Sequence, residues 1–251
     1  MKRFDARNVI VTGAGSGIGA ATVKRLLDEG ATVVAVDVTQ AGVDAVIATA
    51  ADPSRVHGAV LDVCDHDAAI ALVSEMRKRL GSLYGLINCA GITGIGSIID
   101  SEPEKHRKIM AVNLDGTINM CQAFVQAVKL DTGPRSIVNI SSGAGILGVP
   151  NRLSYVASKF GISGITKSMS PELGPYGIRV NAVAPGVTRT PLMDYALKDP
   201  IKAKAILDAH PIGRLGEPEE IAAVIVFLLT DDASFMTGSI VSVDGGQTAC
   251  L

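Results

Sequence analysis

An apolar run leads directly into a glycine-rich turn near the amino terminus. The stretch is Val9-Ile10-Val11-Thr12-Gly13-Ala14-Gly15-Ser16-Gly17-Ile18-Gly19. The β-branched run predicts a buried strand, and the glycines predict a tight turn into a helix whose free N–H groups can bind phosphate. Gly13 permits the turn, Gly15 and Gly17 let the backbone approach a pyrophosphate, and Gly19 lets the helix pack on the strand. We therefore predict that residues 13–19, Ser16 and Ile18 included, bind a dinucleotide.

The same alternation of strand and helix continues along the chain. Predicted strands cover residues 8–12, 32–36, 56–60, 85–88, 136–140, 178–184 and 239–243. Predicted helices cover residues 18–29, 40–50, 65–80, 103–129, 154–174, 191–209 and 218–229. Most of the strands are apolar throughout, which is typical of strands buried on both faces of a parallel sheet. The pattern predicts an α/β fold, with a Rossmann-like, doubly wound parallel sheet of about seven strands and helices on both faces.

The chain shows no sign of a second domain. No linker of disordered composition, low-complexity tract or long internal repeat interrupts it, so we expect residues 1–251 to form one domain. Only residues 190–216 break the rhythm of strands and helices, and we expect them to form a lid over a site.

Composition excludes several classes of function. The formal net charge is −2 over 251 residues, which gives no electrostatic basis for binding nucleic acid or an anionic membrane. The four cysteines show neither CxxC spacing nor a histidine at metal-ligand spacing, so we expect reduced thiols, no metal site and a cytoplasmic location. The amino terminus lacks a signal-peptide pattern, and the longest apolar run, residues 221–229, is too short to span a bilayer.

Asp37 lies at the end of the second predicted strand, 18 residues after Gly19. A carboxylate there can accept hydrogen bonds from both hydroxyls of an adenine ribose and would repel a 2′-phosphate. Neither Ser16 nor the adjacent Val38 is basic, so the sequence favours NAD over NADP. The alternative is an Asp that caps a helix or is merely solvated.

Residues after the third and fourth strands complete the predicted cofactor cleft. Asp62 and Val63 follow the third strand and are predicted to hold the adenine ring. Asn88, Ala90 and Gly91 follow the fourth, where small residues let the chain pass close to a cofactor. Asn88 has an equally plausible structural role, in which its side chain ties strand ends together.

Ser142, Tyr155 and Lys159 form a second group of candidate residues. Tyr155 and Lys159 are four residues apart in a predicted helix and therefore share one face. A nearby ammonium stabilises a phenolate and brings the tyrosine pKa toward the range useful for proton transfer. Ser142 closes the fifth strand, at the edge where parallel sheets bind ligands. The alternative is that Tyr155 and Lys159 are ordinary surface residues.

Taken together, these motifs resemble the short-chain dehydrogenase/reductase family over nearly the whole chain. The matching segments are Thr12–Gly19 for TGxxxGxG, Asn88-Cys89-Ala90-Gly91 for NNAG, Asn113-Leu114-Asp115-Gly116 for NxxG, Tyr155–Lys159 for YxxxK, Pro185-Gly186-Val187-Thr188 for the PG motif, and Asp244-Gly245-Gly246 near the carboxyl terminus. The family serine 13 residues before the tyrosine is Ser142. Cys89 departs from the pattern at a position that we expect to tolerate the change.

The resemblance implies roles for four catalytic residues. Tyr155 exchanges the hydroxyl proton, and Lys159 lowers the pKa of Tyr155 and holds the nicotinamide ribose. Ser142 orients the substrate oxygen, so Ser142 and Tyr155 also bind substrate. Asn113 helps hold a water that links Lys159 to solvent. The resemblance also places Ile140, Pro185, Gly186, Val187, Thr188 and Thr190 against the cofactor. A homotetramer is implied as well, and small residues on the helix of Tyr155 (Ala157, Ser158, Gly161, Ser163 and Gly164) favour close helix packing.

The predicted activity is NAD-dependent interconversion of a secondary alcohol and a ketone. The apolar residues Ile92, Ile95, Ile146, Leu147 and Val149 flank the site, and the segment 191–197 begins apolar. We therefore expect a small, mainly uncharged alicyclic, aromatic or dihydrodiol substrate. Arg152 and Arg189 weaken that expectation, although a surface role is favoured for each.

Three other functions remain open. An NADPH-dependent 3-oxoacyl-thioester reductase would share the scaffold, but Asp37 argues against it. A non-catalytic NAD-binding sensor or scaffold would not need the full set of Asn113, Ser142, Tyr155 and Lys159. A dehydratase or epimerase of the extended relatives usually has a longer carboxyl-terminal region.

Overall fold

A seven-stranded parallel sheet runs through the centre of the molecule. The computed structural model describes residues 2–193 and 200–249. The strands are β1 (Asn8–Thr12), β2 (Thr32–Asp37), β3 (Val56–Val60), β4 (Gly85–Asn88), β5 (Arg135–Ile140), β6 (Ile178–Pro185) and β7 (Ile240–Val243). The seven strands, the parallel sheet and the helices on both faces confirm the predicted fold class.

The strand order creates a crevice at one edge of the sheet. The order is β3-β2-β1-β4-β5-β6-β7, so successive crossovers run outward in opposite directions from the β1–β4 pair. Thr12, the last residue of β1, pairs with Val36 on one side and Asn88 on the other. Ligands of doubly wound sheets bind at this reversal, beside the carboxyl ends of the strands.

Eight α-helices are described, and several begin or end at recognisable signals. They are α1 (Gly17–Asp28), α2 (Gln40–Thr49), α3 (His66–Leu80), α4 (Pro103–Met110), α5 (Gly116–Val128), α6 (Leu153–Leu173), α7 (Pro200–Asp208) and α8 (Pro218–Leu229). At the start of α3, Asp65 accepts a hydrogen bond from Ala68 N at 2.9 Å. Gly30 follows α1 with a φ of +97°, a conformation that suits glycine after a helix end.

Alternate residues of the strands pack into two separate apolar layers. Val9 and Val11 face α1 and α8, whereas Ile10 lies in the layer with α3 and α5. Leu26 of α1 and Phe124 of α5 are both fully buried. Burying side chains of this size stabilises the fold by about 1.5–3 kcal/mol each. The central strands are buried on both faces because one apolar layer packs against each face of the sheet.

The prediction of one regular helix over residues 103–129 is wrong in detail. A π-helical turn, Ala111–Asp115, joins α4 to α5. Its middle residue, Asn113, is fully buried and hydrogen-bonds the backbone of Ile92. A π turn widens a helix by one residue and often lies at a functional site. Here it turns Asn113 toward the loop after β4.

The prediction of a helix over residues 191–209 is wrong at residues 191–193 and correct at its carboxyl end. Pro191–Met193 form a 3₁₀ turn, and α7 begins at Pro200. The intervening residues 194–199, part of the predicted lid and of the apolar segment 191–197, lie outside the described residues, as does the side chain of Leu192. Within the described ranges, no helix has both the length and the apolar character needed to cross a bilayer.

Candidate active site

A continuous cleft runs along the carboxyl ends of the strands. One part, called the loop end here, lies beside the glycine turn, and the other, called the tyrosine end, lies beside Tyr155. The predicted residues that line the loop end are Gly13, Ser16, Gly17, Ile18, Gly19, Asp37, Val38, Asp62, Val63, Ala90, Gly91 and Thr190. Those that line the tyrosine end are Ile140, Ser142, Tyr155, Lys159, Pro185, Gly186, Val187 and Thr188. Gly15, Asn88 and Asn113 contact these residues but do not line the cleft.

The glycine turn forms a bare backbone surface in front of α1. Gly13 has a φ of +61°, and a Cβ there would lie 2.8 Å from the backbone N of Ala90. A Cβ on Gly19 would lie 2.0 Å from the carbonyl oxygen of Gly13, so the helix could not approach the turn so closely with any other residue. Ser16 precedes α1, and its side chain makes no capping hydrogen bond. The uncapped helix start suits a bound pyrophosphate, whose oxygens would accept from the first N–H groups.

Asp37 closes the loop end from the carboxyl end of β2. Its Oδ2 accepts a hydrogen bond from Gly15 N at 2.9 Å, and its Oδ1 accepts one from Thr39 N at 3.1 Å. These bonds fix the carboxylate beside the glycine turn. Among the described residues that line this end, Lys108 of α4 is the one basic side chain.

Asn88 performs the structural role that the sequence left open. Its side chain is only 3% exposed, and its Nδ2 donates to Asn139 Oδ1 at 2.9 Å and to Cys121 Sγ at 3.3 Å. Asn139 in turn donates to Thr166 Oγ1 at 3.0 Å. This buried chain of polar groups ties β4 to β5, α5 and α6, so the side chain of Asn88 is directed away from the cleft.

Asn113 connects the loop after β4 to the helix of Tyr155. Its Oδ1 accepts from Ile92 N at 2.8 Å, and its Nδ2 donates to Ile92 O and to Ser158 Oγ, both at 3.0 Å. A Cβ built on Gly91 would lie 3.3 Å from Asn113 Oδ1 and 3.7 Å from Lys159 Nζ. The amide and the ammonium therefore face the same small space beside Gly91.

Lys159 carries a buried ammonium at the centre of the tyrosine end. The residue is 5% exposed, and its Nζ donates to Ile140 O at 2.8 Å. The Nζ atom lies 5.6 Å from the centre of the Tyr155 ring. Burial lowers the pKa of Lys159 to about 8 because the charged form loses its hydration. Ile140 O is its one hydrogen-bond acceptor among the described residues, although an ammonium carries three donors.

The two serines at the end of β5 have different environments. Ser141 Oγ is bound to α6, where it contacts Ser163 Oγ at 2.8 Å and donates to Lys159 O at 3.2 Å. Ser142 is half-buried, and its Oγ accepts from Ala144 N at 3.1 Å. Ser142 is therefore the hydroxyl that can meet a ligand, as the family resemblance implies.

The predicted apolar walls are only partly present. Ile92 and Val149 line the tyrosine end, with Met193 added from the 3₁₀ turn. Ile95 lines a neighbouring groove instead, and Ile146 and Leu147 line neither.

The two arginines differ in position. The favoured surface role is wrong for Arg152, which lines the cleft and donates from Nη1 to Thr93 Oγ1 at 2.7 Å. It is correct for Arg189, which is exposed and pairs with Glu217 at 3.1 Å. The cleft therefore contains the guanidinium of Arg152, which the sequence analysis expected to lie at the surface.

Three further residues of the site were missed by the sequence analysis. Cys89 lines both ends of the cleft, and burial raises its pKa to about 12, so the thiol stays neutral. Gln247 lines the tyrosine end. His210 accepts from Val187 N at 3.1 Å through Nε2, so its Nδ1 carries the proton and donates to Ile206 O at 2.7 Å. His210 is distant in sequence from the motifs, and Gln247 directly follows the Asp244-Gly245-Gly246 motif, but neither residue has a spacing that marks it as part of a site.

Known proteins resemble this chain over nearly all of its length. Residues 13–248 match the family model described as enoyl-(acyl carrier protein) reductase. The 3-oxoacyl-[acyl-carrier-protein] reductase FabG of Thermotoga maritima is 40% identical, over 97% of this chain and 98% of its own. The 2,5-dichloro-2,5-cyclohexadiene-1,4-diol dehydrogenase of Sphingobium indicum is 37% identical, over 99% and 100%. The crystal structure of levodione reductase superposes with a TM-score of 0.94 at 35% identity, covering 99% of this chain and 100% of the other.

The depressed pKa of Lys159 predicts a dependence of stability on pH. Below about pH 8 the lysine is protonated in the folded and unfolded states alike. Between that pH and its ordinary pKa of 10.5, the folded state releases the proton while the unfolded state keeps it. The free energy of unfolding of the wild type should therefore rise with pH across this window, by up to about 3 kcal/mol relative to Lys159→Met.

Urea unfolding of wild type, Lys159→Met and the exposed-site control Lys167→Met, from pH 7 to 10.5, measures this difference. Parallel curves for the wild type and Lys159→Met would show that the ammonium is not destabilised by burial.

Proposed function

Since the chain belongs to the short-chain dehydrogenase/reductase family, we propose that it uses NAD to interconvert a secondary alcohol and a ketone. Its relatives are dehydrogenases and reductases, and the chain is an oxidoreductase of a family that uses nicotinamide cofactors. The choice of NAD, the residue roles and the substrate class below are parts of the proposal.

The environment of Lys159 carries the proposal. A buried ammonium beside a tyrosine ring, with one protein acceptor among the described residues, has donors left for a ligand. Leaving such donors without partners in a buried site costs free energy. The two hydroxyls of a nicotinamide ribose would satisfy them, and the cleft that contains Lys159 continues to the glycine turn.

Each catalytic side chain has a separate task in the proposed reaction. NAD, when bound along this cleft, would supply the hydride chemistry as the acceptor of a hydride from the alcohol carbon. Tyr155 Oη takes the hydroxyl proton as the carbonyl forms, and it returns a proton in the reverse direction. Ser142 Oγ holds the reacting oxygen, and Lys159 stabilises the phenolate form of Tyr155. Asn113 and Lys159 face the space beside Gly91, where one water would pass the proton toward solvent.

NAD fits the loop end better than NADP. The turn at residues 13–19 would hold the pyrophosphate, while Asp62 and Val63 would flank the adenine. The segment Pro185–Thr188, with Thr190, would hold the nicotinamide. Asp37 Oδ1 and Oδ2 would accept hydrogen bonds from the adenosine ribose in addition to those from their present backbone donors. A 2′-phosphate would instead meet a carboxylate fixed beside the glycine turn, and the two negative charges would repel.

We propose a small alicyclic, aromatic or dihydrodiol substrate. The apolar side chains of Ile92, Val149 and Met193 provide walls for a ring at the tyrosine end. The dichlorocyclohexadienediol dehydrogenase, by its name, acts on a ring diol. Among the described residues of the tyrosine end, Arg152 is the one cationic side chain outside the catalytic set, and it would suit an anionic substituent.

A reductase of 3-oxoacyl thioesters is the second candidate function. The similarity to Thermotoga maritima FabG favours it, whereas Asp37 opposes the NADPH that such a reductase would be expected to use. A non-catalytic NAD-binding sensor has less support, since Ser142, Tyr155 and Lys159 meet in one cleft.

We also propose that residues 1–251 form one domain and assemble as a homotetramer in the cytoplasm. Leu153, Ala157, Phe160 and Gly164 make an exposed stripe on one face of α6, whereas Ser158 and Ser163 of the predicted set are buried in the protomer. Three described cysteines are free thiols, which supports a reducing compartment.

Light scattering should give the mass of four chains, and a monomeric mass would overturn the proposed tetramer.

Residues 190–216 are proposed to close over the cleft. Thr190 and Met193 already contribute to its lining. His210, at the end of α7, holds the backbone N–H of Val187 and so couples this segment to the floor of the tyrosine end.

Replacing the tyrosine tests the proposed reaction. Tyr155→Phe should lower kcat by about 100- to 10,000-fold because the proton-transfer group is lost, while the affinity for NADH stays largely unchanged. A panel of secondary alcohols with NAD measures turnover, and NADH fluorescence measures binding. Tyr176→Phe, at an exposed tyrosine after α6, is the matched control. Near-normal turnover in Tyr155→Phe would remove this residue from the mechanism.

Replacing the aspartate tests the cofactor. Asp37→Ala should reduce the preference for NAD over NADP by about 10- to 100-fold, since hydrogen bonds to a charged group contribute about 1.5–3 kcal/mol. The readout is kcat/KM with each cofactor, together with NADPH-dependent reduction of acetoacetyl thioesters, and Asp232→Ala is the control. A wild type that prefers NADPH would favour the thioester reductase instead.

A further inference from the structure

We propose that Gln247 is a specificity residue that binds a second oxygen of the substrate, a hydroxyl or carbonyl other than the reacting one. The inference rests on the proposed function and narrows its substrate class. Gln247 lines the tyrosine end of the cleft together with Ser142 and Tyr155. It lies on the loop after β7, outside every motif that binds cofactor or performs catalysis.

The loop after β7 is fixed by a single carboxylate. Asp244 Oδ2 accepts from Thr248 N at 2.9 Å and from Thr248 Oγ1 at 2.5 Å, and its Oδ1 accepts from Gly246 N at 3.0 Å. Gln247 N donates to Asp244 O at 3.1 Å. The backbone of Gln247 is therefore held in one place, so its side chain enters the cleft from a rigid support.

Two neighbouring glycines let this loop approach the catalytic strands. A Cβ on Gly186 would lie 2.8 Å from Asp244 Cα, so the loop packs directly on the segment after β6. A Cβ on Gly143 would lie 3.2 Å from Gln247 Oε1. The carboxamide thus rests against the backbone that immediately follows Ser142, next to the hydroxyl that is proposed to hold the reacting oxygen.

The carboxamide has hydrogen-bonding capacity that the protein does not use. Gln247 is half-buried, and within residues 2–193 and 200–249 its side chain makes no hydrogen bond. A carboxamide offers two donors and an acceptor, so it can bind either a hydroxyl or a carbonyl. The walls around it are largely apolar, with Ile92, Val149 and Met193. This combination suits a ring alcohol or ketone that carries a second oxygen a few bonds from the reacting carbon.

The test compares ring ketones that differ only in that second oxygen. Cyclohexanone and the 1,2-, 1,3- and 1,4-cyclohexanediones would be reduced with NADH by the wild type, Gln247→Met and Gly143→Ala. Gln247→Met keeps the side-chain length and removes the hydrogen bonds, and Gly143→Ala displaces the carboxamide. Gln126→Met, at an exposed glutamine of α5, is the matched control, and NADH affinity by fluorescence checks that each variant folds and binds cofactor.

For at least one dione, the ratio of its kcat/KM to that of cyclohexanone should fall about tenfold in Gln247→Met, the loss expected for one hydrogen bond. Gly143→Ala should lower the same ratio, and Gln126→Met should leave it unchanged. An unaltered ratio for all three diones in both cleft variants overturns the inference while the proposed function stands. A wild type inactive on all four ketones also overturns it, whereas the proposed function fails only if the secondary-alcohol panel gives no turnover.

Discussion

The hydrogen bond from Lys159 Nζ to the carbonyl oxygen of Ile140 places a cation in the interior of the protein, 2.8 Å from the last residue of β5. Burial removes much of the hydration of the ammonium there, and the pKa of Lys159 falls to about 8. Burying an ammonium with one acceptor among the described groups opposes folding. This unfavourable burial occurs where Tyr155 and Ser142 also line the cleft. A destabilising buried charge at such a position is typical of a residue that serves chemistry rather than stability.

The fold around this cation fixes the strand ends that carry the site. Parallel strands deliver Thr12, Asn88 and Ile140 to one edge of the sheet, and α6 crosses that edge with Tyr155 and Lys159 on one face. The Asn88–Asn139–Thr166 hydrogen bonds hold β4, β5 and α6 together beneath the cleft. The glycine turn of β1 and the loop after β7 then approach from opposite ends. The glycine turn places the backbone N–H groups of α1 at the loop end, and the loop after β7 places Gln247 at the tyrosine end.

Much of this was predictable from local sequence. The strands are continuous apolar runs, and their observed bounds differ from the predicted ones by no more than one residue. The family resemblance selected Ser142 over Ser141, and the structure gives the physical reason, because Ser141 is bound to α6. The glycine turn and Asp37 were recognisable because a βα turn uses residues that are close in sequence.

Features that depend on distant contacts were not predictable. The π turn at Asn113 depends on hydrogen bonds to Ile92, 21 residues earlier, and periodicity alone indicates only a helix. The sequence analysis favoured a surface role for Arg152. Its partner in the cleft, Thr93, lies on the loop after β4, too far away in sequence for a local pattern to reveal the contact. His210 contacts Val187, and Gln247 reaches the cleft, only through the packing of the segments after α7 and β7, and no local sequence pattern predicts that packing.

The central claim is that Lys159, Tyr155 and Ser142 act together on one bound cofactor and one substrate oxygen. A crystal structure of the protein with NAD and an unreactive ring alcohol tests this most directly. The account predicts Lys159 Nζ within hydrogen-bond distance of the nicotinamide ribose, and the alcohol oxygen within that distance of both Tyr155 Oη and Ser142 Oγ. A complex in which Lys159 points away from Tyr155 and the ribose, with the alcohol oxygen bound elsewhere, would contradict it.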